Sequence, residues 1–287
     1  MYIKMTDEWM TDADMMDVDM TDVDMTDIDM MDIEKTDITE AGIPKKDIEL
    51  SPRMKAVADM VIPGSNACDI GCDHAFVSIY LVAKGIADRV IASDVRTGPC
   101  DIARDNISRW GMAKRIELRL GDGLATVKPG EADSIIIAGM GGILITDILE
   151  AGSDVVGAAR QLVLQPQSEH EHVRRYIYDK GWTITDEKML VDAGKYYVVM
   201  NVDLREPGYN ENSGCGHKNE KQEIYFKYGY NLLNSHSVVL KEYLEKQRDS
   251  LRKLVAGLKR SNTENSRKRC LEVEHELDCI DQALNLL

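Results

Sequence analysis

Residues 68–75 read Cys68-Asp69-Ile70-Gly71-Cys72-Asp73-His74-Ala75, gathering two cysteines, two aspartates, a histidine and a glycine into eight positions. Three chemistries use such residues: a soft metal site, a dithiol redox site and a nucleotide-binding loop. Structural zinc uses paired Cys-x2–4-Cys or His-x3–5-His ligands. Here the spacing is Cys-x3-Cys-x-His, with Cys68 inside an apolar run and Cys215 and His217 as a remote second pair. A redox pair needs Cys-x-x-Cys at a helix start, which is absent from this stretch. Both cysteines therefore read as small buried hydrophobes, no metal is expected, and the flanking sequence decides for a cofactor loop.

Upstream, Ser51 caps a helix with Pro52 in its first turn and Met54, Val57, Ala58 and Val61 at helical spacing, ended by Pro63-Gly64. Downstream the pattern alternates. A strand runs into residues 68–70, a helix over about 74–84, a strand at 90–93 and a helix over 98–110. Strands follow at 116–120 and 133–138, then a helix from 143, a strand at 161–165 and a helix across 170–180. Such alternation predicts an α/β fold with a mostly parallel sheet covered on both faces. Segments 182–190 and 196–203 have no helix between them and predict a terminal antiparallel hairpin. After a polar linker at 207–220, apolar residues from Leu233 to Leu258 and from Leu271 to Leu287 recur at three and four, predicting a small helical, coiled-coil-like domain over 221–287.

The net charge of −15 argues against a nucleic-acid partner only if it is spread evenly. Residues 1–49 hold 16 acids and 4 bases, so −12 belongs to this segment. Residues 10–34 repeat a pentad, MTDAD MMDVD MTDVD MTDID MMDIE, too few units to close a β-helix and too acidic to pack alone, which predicts a disordered tail. The ordered domain is expected over 50–206. No window reaches the roughly 18 apolar residues of a membrane span, no signal-peptide pattern opens the chain, and the six cysteines have no framework spacing. A cytoplasmic protein without disulfides, membrane contact or an obligate protein partner is expected.

A dinucleotide site needs Gly-x-Gly-x-x-Gly to bring backbone and helix N-terminus to a pyrophosphate. This loop offers only Gly71 and sets Asp69 and Asp73 around it, which repels a pyrophosphate and suits a cationic ligand such as S-adenosylmethionine. Asp94 ends the second strand, where ribose hydroxyls bind, and Asp122-Gly123 follow the third, near an adenine. Each alone also reads as a turn former. After the fourth strand comes Ala138-Gly139-Met140-Gly141-Gly142 in place of the polar-Pro-Pro-aromatic loop that many base methyltransferases carry. Glycines there admit a planar base close to the backbone, or simply make a tight turn.

In this order and at these spacings, LSPRMKAVADMV, ACDIGCDHAF, SDVRTGP, GDGLA, IIIAGMGG, LVLQPQ and GWTITDEKMLVDAGKYYVV resemble the bacterial tRNA (adenine(22)-N1)-methyltransferase family over residues 50–287. The resemblance implies a class I, Rossmann-like methyltransferase domain that uses S-adenosyl-L-methionine to methylate adenine N1 in tRNA, followed by a helical domain that helps hold the tRNA. It implies that Asp69, Gly71, Asp73 and His74 line the methionine end of the cofactor, that Asp94 and Val95 meet the ribose, and that Asp122 and Gly123 meet the adenine. Ala138 and Gly139 complete the contact. Asp73, His74, Gly139 and Met140 border the reacting atoms, with Asp73 set to stabilise charge on the target base. Phe76, Gly141 and Gly142 would border that base. Two departures stand out: the family commonly has Tyr at the position of Phe76 and a small polar residue at that of Cys72. The acidic tail has no counterpart in it.

Residues 241–269 hold 10 bases and 4 acids. Lys241, Arg248, Arg252, Lys253, Lys259 and Arg260, with Arg53 near the crevice, are the candidate tRNA phosphate contacts. Two other readings remain at this level: a methyltransferase acting on another RNA or a small molecule, and a non-catalytic RNA-binding protein.

Overall fold

The structure, a computed structural model, describes residues 48–205, 220–261 and 263–287. The pentad repeat and the linker with Cys215 and His217 lie outside the described residues. The first helix, α1 (Pro52–Asp59), starts as its sequence dictates, with Ser51 Oγ accepting from the Met54 amide at 3.4 Å and proline at the first position. Then follow β1 (Ser65–Ile70), α2 (Phe76–Ala83), β2 (Ala87–Asp94), α3 (Thr97–Arg109), β3 (Ile116–Leu120) and a 3-10 turn (Gly123–Thr126). The second half holds β4 (Ser134–Met140), α4 (Gly142–Ala151), α5 (Ser153–Ala158), β5 (Gln161–Pro166), α6 (His170–Asp179) and the hairpin β6 (Thr183–Asp192) and β7 (Lys195–Asp203).

Among the described residues these strands form one sheet in the order β3-β2-β1-β4-β5-β7-β6. β1 pairs in parallel with both β2 and β4, while β7 runs antiparallel between β5 and β6. The chain winds outward through β3 and returns to lay β4 beside β1, so a crevice opens at the carboxyl ends of β1 and β4. Central strands buried on both faces must be apolar throughout. Ile135, Ile136 and Ile137 of β4 are all fully buried, Ile136 joining the core under α1, α2 and α3 and its neighbours the opposite core under α4 and α6. Each such side chain contributes roughly 1.5–3 kcal/mol of burial free energy.

The helix predicted from residue 74 begins at Phe76, because Asp73 and Ala75 take left-handed backbone angles, φ 50° and 61°. The short α5 was not legible in the sequence pattern. The C-terminal helices are α7 (Glu220–Tyr228), α8 (Tyr230–Asn234), α9 (Val238–Ser261) and α10 (Glu264–Leu286). The apolar stripe that begins at Leu233 is broken: Leu233 lies in a separate five-residue helix, and residues 235–237 intervene before α9. Leu233, Leu240, Leu244, Ile280 and Ala283 join the same continuous core as Ile135, Leu162 and Leu164 of the sheet. Arg174 of α6 fastens this joint, donating to Glu187 of β6 at 2.7 Å and to the carbonyls of Phe226 and Lys227 in α7 at 2.9 and 2.8 Å. No helix among the described residues is long and apolar enough to cross a membrane.

Candidate active site

The β1 loop is built by backbone bonds to its neighbour strand. The amides of Gly71 and Cys72 both donate to the Ser93 carbonyl, at 2.8 and 3.0 Å. Gly71 has φ +74°, and a β-carbon on it would fall 2.2 Å from Met140 Cε, so glycine fits both the turn and the thioether lying across it. Met140 thereby bridges the β1 and β4 loops.

Three carboxylates surround this loop, and each has a different environment. Asp69 is buried, with Ser78 Oγ donating to it at 2.7 Å. Burial pushes its carboxyl up to about 6, against the pull of the Ser78 hydrogen bonds. Asp94, also buried, accepts from the Asp73 amide at 3.2 Å and the Arg96 amide at 2.9 Å, and so ties the loops after β1 and β2 together. Asp73 is part-exposed, with His74 Nε2 3.8 Å and Arg96 Nη2 3.7 Å from its carboxylate. His74 stands edge-on to Phe76, ring centroids 6.2 Å apart, and its carbonyl accepts from Asn106 at 3.1 Å. Cys68 and Cys72 are buried, and burial pushes both thiols up, which makes them inert packing groups. Among the described residues no cluster of His, Cys, Asp or Glu is arranged to hold a metal ion.

At the ends of β2 and β3, Val95 and Leu120 expose apolar side chains beside Asp94 and Asp122. Gly123 opens the 3-10 turn, which Thr126 ties to Ser93 at 2.9 Å. This donor set fits S-adenosylmethionine: buried carboxylates for cationic and hydroxyl groups, apolar side chains to flank a purine, and no multi-glycine phosphate cradle.

Across the crevice, the β4 loop is held by residues the sequence reading had passed over. The Gly139 amide donates to Gln165 Oε1 at 3.1 Å, and Gln167 N donates to the Met140 carbonyl at 2.9 Å. A β-carbon at Gly142 would meet the Ser168 and Glu169 carbonyls at 2.7 and 2.8 Å, so close backbone packing requires glycine there. The Glu169 carboxylate accepts from the Gly142 amide at 3.1 Å and so caps α4. Arg53 sits beside this loop, 3.4 Å from the β-carbon position of Gly139. Ser78, Arg96, Gln165, Gln167 and Glu169 thus support the two loops without having been candidates, although Arg96, Gln165 and Gln167 fall inside the stretches SDVRTGP and LVLQPQ. Gln165 also stands out as a polar residue in the otherwise apolar run LVLQP.

The proposed phosphate contacts divide. Arg248 and Arg252 lie 3.6 and 3.7 Å from Asp281 of α10, and Lys259 lies 2.7 Å from Glu274. Lys241, Lys253 and Arg260 are exposed and have no ion pair among the described residues.

A parallel sheet with its last strand reversed, opening at the switch point on an acid-lined loop, defines the Rossmann-like methyltransferase class. Residues 50–200 match the family model described as a methyltransferase domain, and the chain belongs to that family. It is similar to a curated tRNA (adenine(22)-N(1))-methyltransferase of Bacillus subtilis, 40% identical over 154 residues, which cover 54% of this chain and 65% of that one. A putative tRNA methyltransferase of Mycoplasma pneumoniae is 28% identical over 158 residues, 53% of this chain and 70% of the relative. Among solved structures, that of a B. subtilis tRNA methyltransferase superposes with a TM-score of 0.72 at 29% identity, covering 83% of this chain and 100% of the other. A putative tRNA methyltransferase of Streptococcus pneumoniae in complex with S-adenosyl-L-methionine gives 0.69 at 29% identity, covering 82% and 100%.

Proposed function

We propose that this chain uses S-adenosyl-L-methionine to methylate N1 of an adenine in tRNA, adenine 22 by its likeness to the B. subtilis relative. The observation that carries the reading is the pairing of an acid-lined β1 loop with a glycine-lined β4 loop across one crevice. Asp69, Gly71, Asp73 and His74 hold the methionine end of the cofactor, Asp94 and Val95 the ribose side, and Asp122 and Gly123 the adenine side, with Ala138 and Gly139 closing the contact. Bound there, the cofactor supplies a methyl group activated by a positively charged sulfur.

The chain's own contribution is alignment and charge. Adenine N1 is neutral and lies on the Watson-Crick edge, so the base must leave its stack to react. Gly139, Gly141 and Gly142 let it approach the backbone, with Phe76 and Met140 as apolar walls. Holding nucleophile and methyl carbon near contact is worth up to about 7–11 kcal/mol. The methylated base is a cation, and Asp73, the most exposed of the three loop carboxylates, stabilises the charge as it develops and orients the exocyclic amine. His74 sits beside it. The exposed bases of α9, Lys241, Lys253 and Arg260, contact tRNA phosphates, with Arg248, Arg252 and Lys259 in support.

Incubation with radiolabelled S-adenosylmethionine and bulk tRNA, followed by nucleoside mapping, tests this. 1-Methyladenosine at one tRNA position is the expected product, and its absence refutes the reading. Asp73→Ala should abolish turnover while the chain stays folded; wild-type turnover in that variant removes Asp73 from the mechanism.

A further inference from the structure

Arg53 differs from the guanidinium groups that stabilise this fold. Arg174, Arg175 and Arg119 all pair with carboxylates. Arg53 is half-buried, and among the described residues no carboxylate pairs with its guanidinium. Its partner is an amide: Nη1 donates to Gln165 Oε1 at 2.8 Å, and its guanidinium carbon stands 5.1 Å from the centroid of the Tyr197 ring. Its own backbone amide donates to Asp192 at 3.2 Å, which fixes the start of α1 on the β6–β7 hairpin.

Gln165 is fully buried, and both acceptor positions of its side-chain oxygen are taken. Its oxygen accepts from both Arg53 and the Gly139 amide, and its nitrogen donates to the Pro166 carbonyl at 3.1 Å. Two donors on its oxygen and a carbonyl against its nitrogen fix the orientation of this buried amide. Arg53 is thus held against the target-base loop with its guanidinium paired to no carboxylate among the described residues. A glutamate at 165 could still accept from Arg53 and Gly139 and would cancel the guanidinium charge, but it would lose the donor to Pro166.

We propose that Arg53 binds the backbone phosphate of the target nucleotide, and that Gln165 is the positioning residue that presents its guanidinium without neutralising it. The inference rests on the methyltransferase reading and deepens it. A base turned out of its stack carries its own phosphate to the rim of the pocket, and a guanidinium with unspent donors is the side chain that matches a phosphate.

The test is a chemical double-mutant cycle on binding. A full tRNA carries one uncharged methylphosphonate 5′ to the target adenosine, and its control carries the normal phosphate. The adjacent 2′-hydroxyl is removed in both so that the linkage survives. For wild type, the uncharged linkage should weaken binding roughly tenfold. Arg53→Ala should lose a similar factor on the control and nothing further on the methylphosphonate, and its salt dependence should fall by about 0.7–0.9 in slope. Gln165→Glu should behave like Arg53→Ala in binding and salt slope, whereas Gln165→Met should leave the slope unchanged and affect turnover alone. If a Gln165 variant fails to fold, the Arg53 cycle still decides.

Independent, multiplying losses from Arg53→Ala and the methylphosphonate, or a loss that does not depend on salt, would overturn the assignment. Wild-type protein that forms no 1-methyladenosine refutes the methyltransferase reading on a separate readout. Methylation without coupling between Arg53 and the phosphate refutes this inference alone.

Discussion

The joint at Arg174 and the crevice at Asp69 both bury charge, and they treat it in opposite ways. The side chains of Arg174 and Glu187 are 4% and 1% exposed and bonded to each other at 2.7 Å, and Arg174 Nη1 donates to the Phe226 and Lys227 carbonyls in the last turn of α7. That also sets a cation at the negative end of a helix. Asp69 is buried to a similar degree but has no cationic partner, only the hydroxyl and backbone amide of Ser78, and two neighbouring aspartates; burial pushes its carboxyl up to about 6. A buried charge that meets an opposite charge holds structure together; one without marks a candidate ligand site.

The strongest way to break this comparison is Arg174→Ala. It strands the Glu187 carboxylate and frees the end of α7, and should cost about 3–5 kcal/mol by chemical denaturation. The double replacement Arg174→Met with Glu187→Leu should recover most of that. A single variant as stable as wild type would mean that the joint does not hold the helices to the sheet.

Asp69 should respond to pH in the opposite sense from a salt-bridged acid. Its folded value, about 6, lies above the ordinary 3.8, so the folded state binds more protons than the unfolded one between those values. Stability therefore falls as pH rises from about 4 to about 6 and stays down above it, by at most on the order of 3 kcal/mol. Asp69→Asn should remove this contribution and be more stable than wild type at pH 7, yet bind S-adenosylmethionine more weakly. In wild type, a cation bound beside Asp69 draws off its proton, so cofactor affinity should climb through pH 6. A pH-independent difference between the two proteins would contradict the burial argument.

How much of this was legible beforehand follows from what each element answers to. The sheet and its terminal hairpin were readable because parallel strands buried on both faces are apolar runs such as residues 135–137, and a hairpin has no room for a helix. The placement of Asp69, Gly71, Asp73 and Asp94 at the ends of β1 and β2 was legible because the strand-to-helix alternation puts them there. The helix boundary at Phe76 was not legible, since the loop before it is held by bonds from the Gly71 and Cys72 amides to Ser93 and from the Asp73 amide to Asp94, far along the chain. Gln165 and Arg53 lie 112 residues apart and meet only in the folded protein. Arg248, Arg252 and Lys259 looked like a free basic face because the acids of α10 that meet them are invisible until the two helices pack.

Gly142→Ala probes the crevice sterically. Its new methyl must displace the Ser168 and Glu169 carbonyls, and overpacking of this kind costs about 1–3 kcal/mol. Because the displaced backbone carries the Glu169 cap on α4, turnover should suffer more than melting temperature; equal losses in both would mark the loop as scaffold only.

The smallest effects sharpen the comparison on the surface. Lys253 and Lys259 are both exposed lysines of α9, six residues apart, but Lys259 is 2.7 Å from Glu274 and Lys253 has no ion pair among the described residues. Neither substitution to Ala should move the denaturation midpoint, since exposed ion pairs contribute little. If a charge already paired is spent and an unpaired one remains available, tRNA binding should separate the two. Lys253→Ala should reduce the slope of log affinity against log salt by about 0.7–0.9, the value for one released counterion, while Lys259→Ala should change it by less. Equal slopes would show that Glu274 yields Lys259 to the tRNA on binding, in which case the ion pair between α9 and α10 opens when substrate arrives.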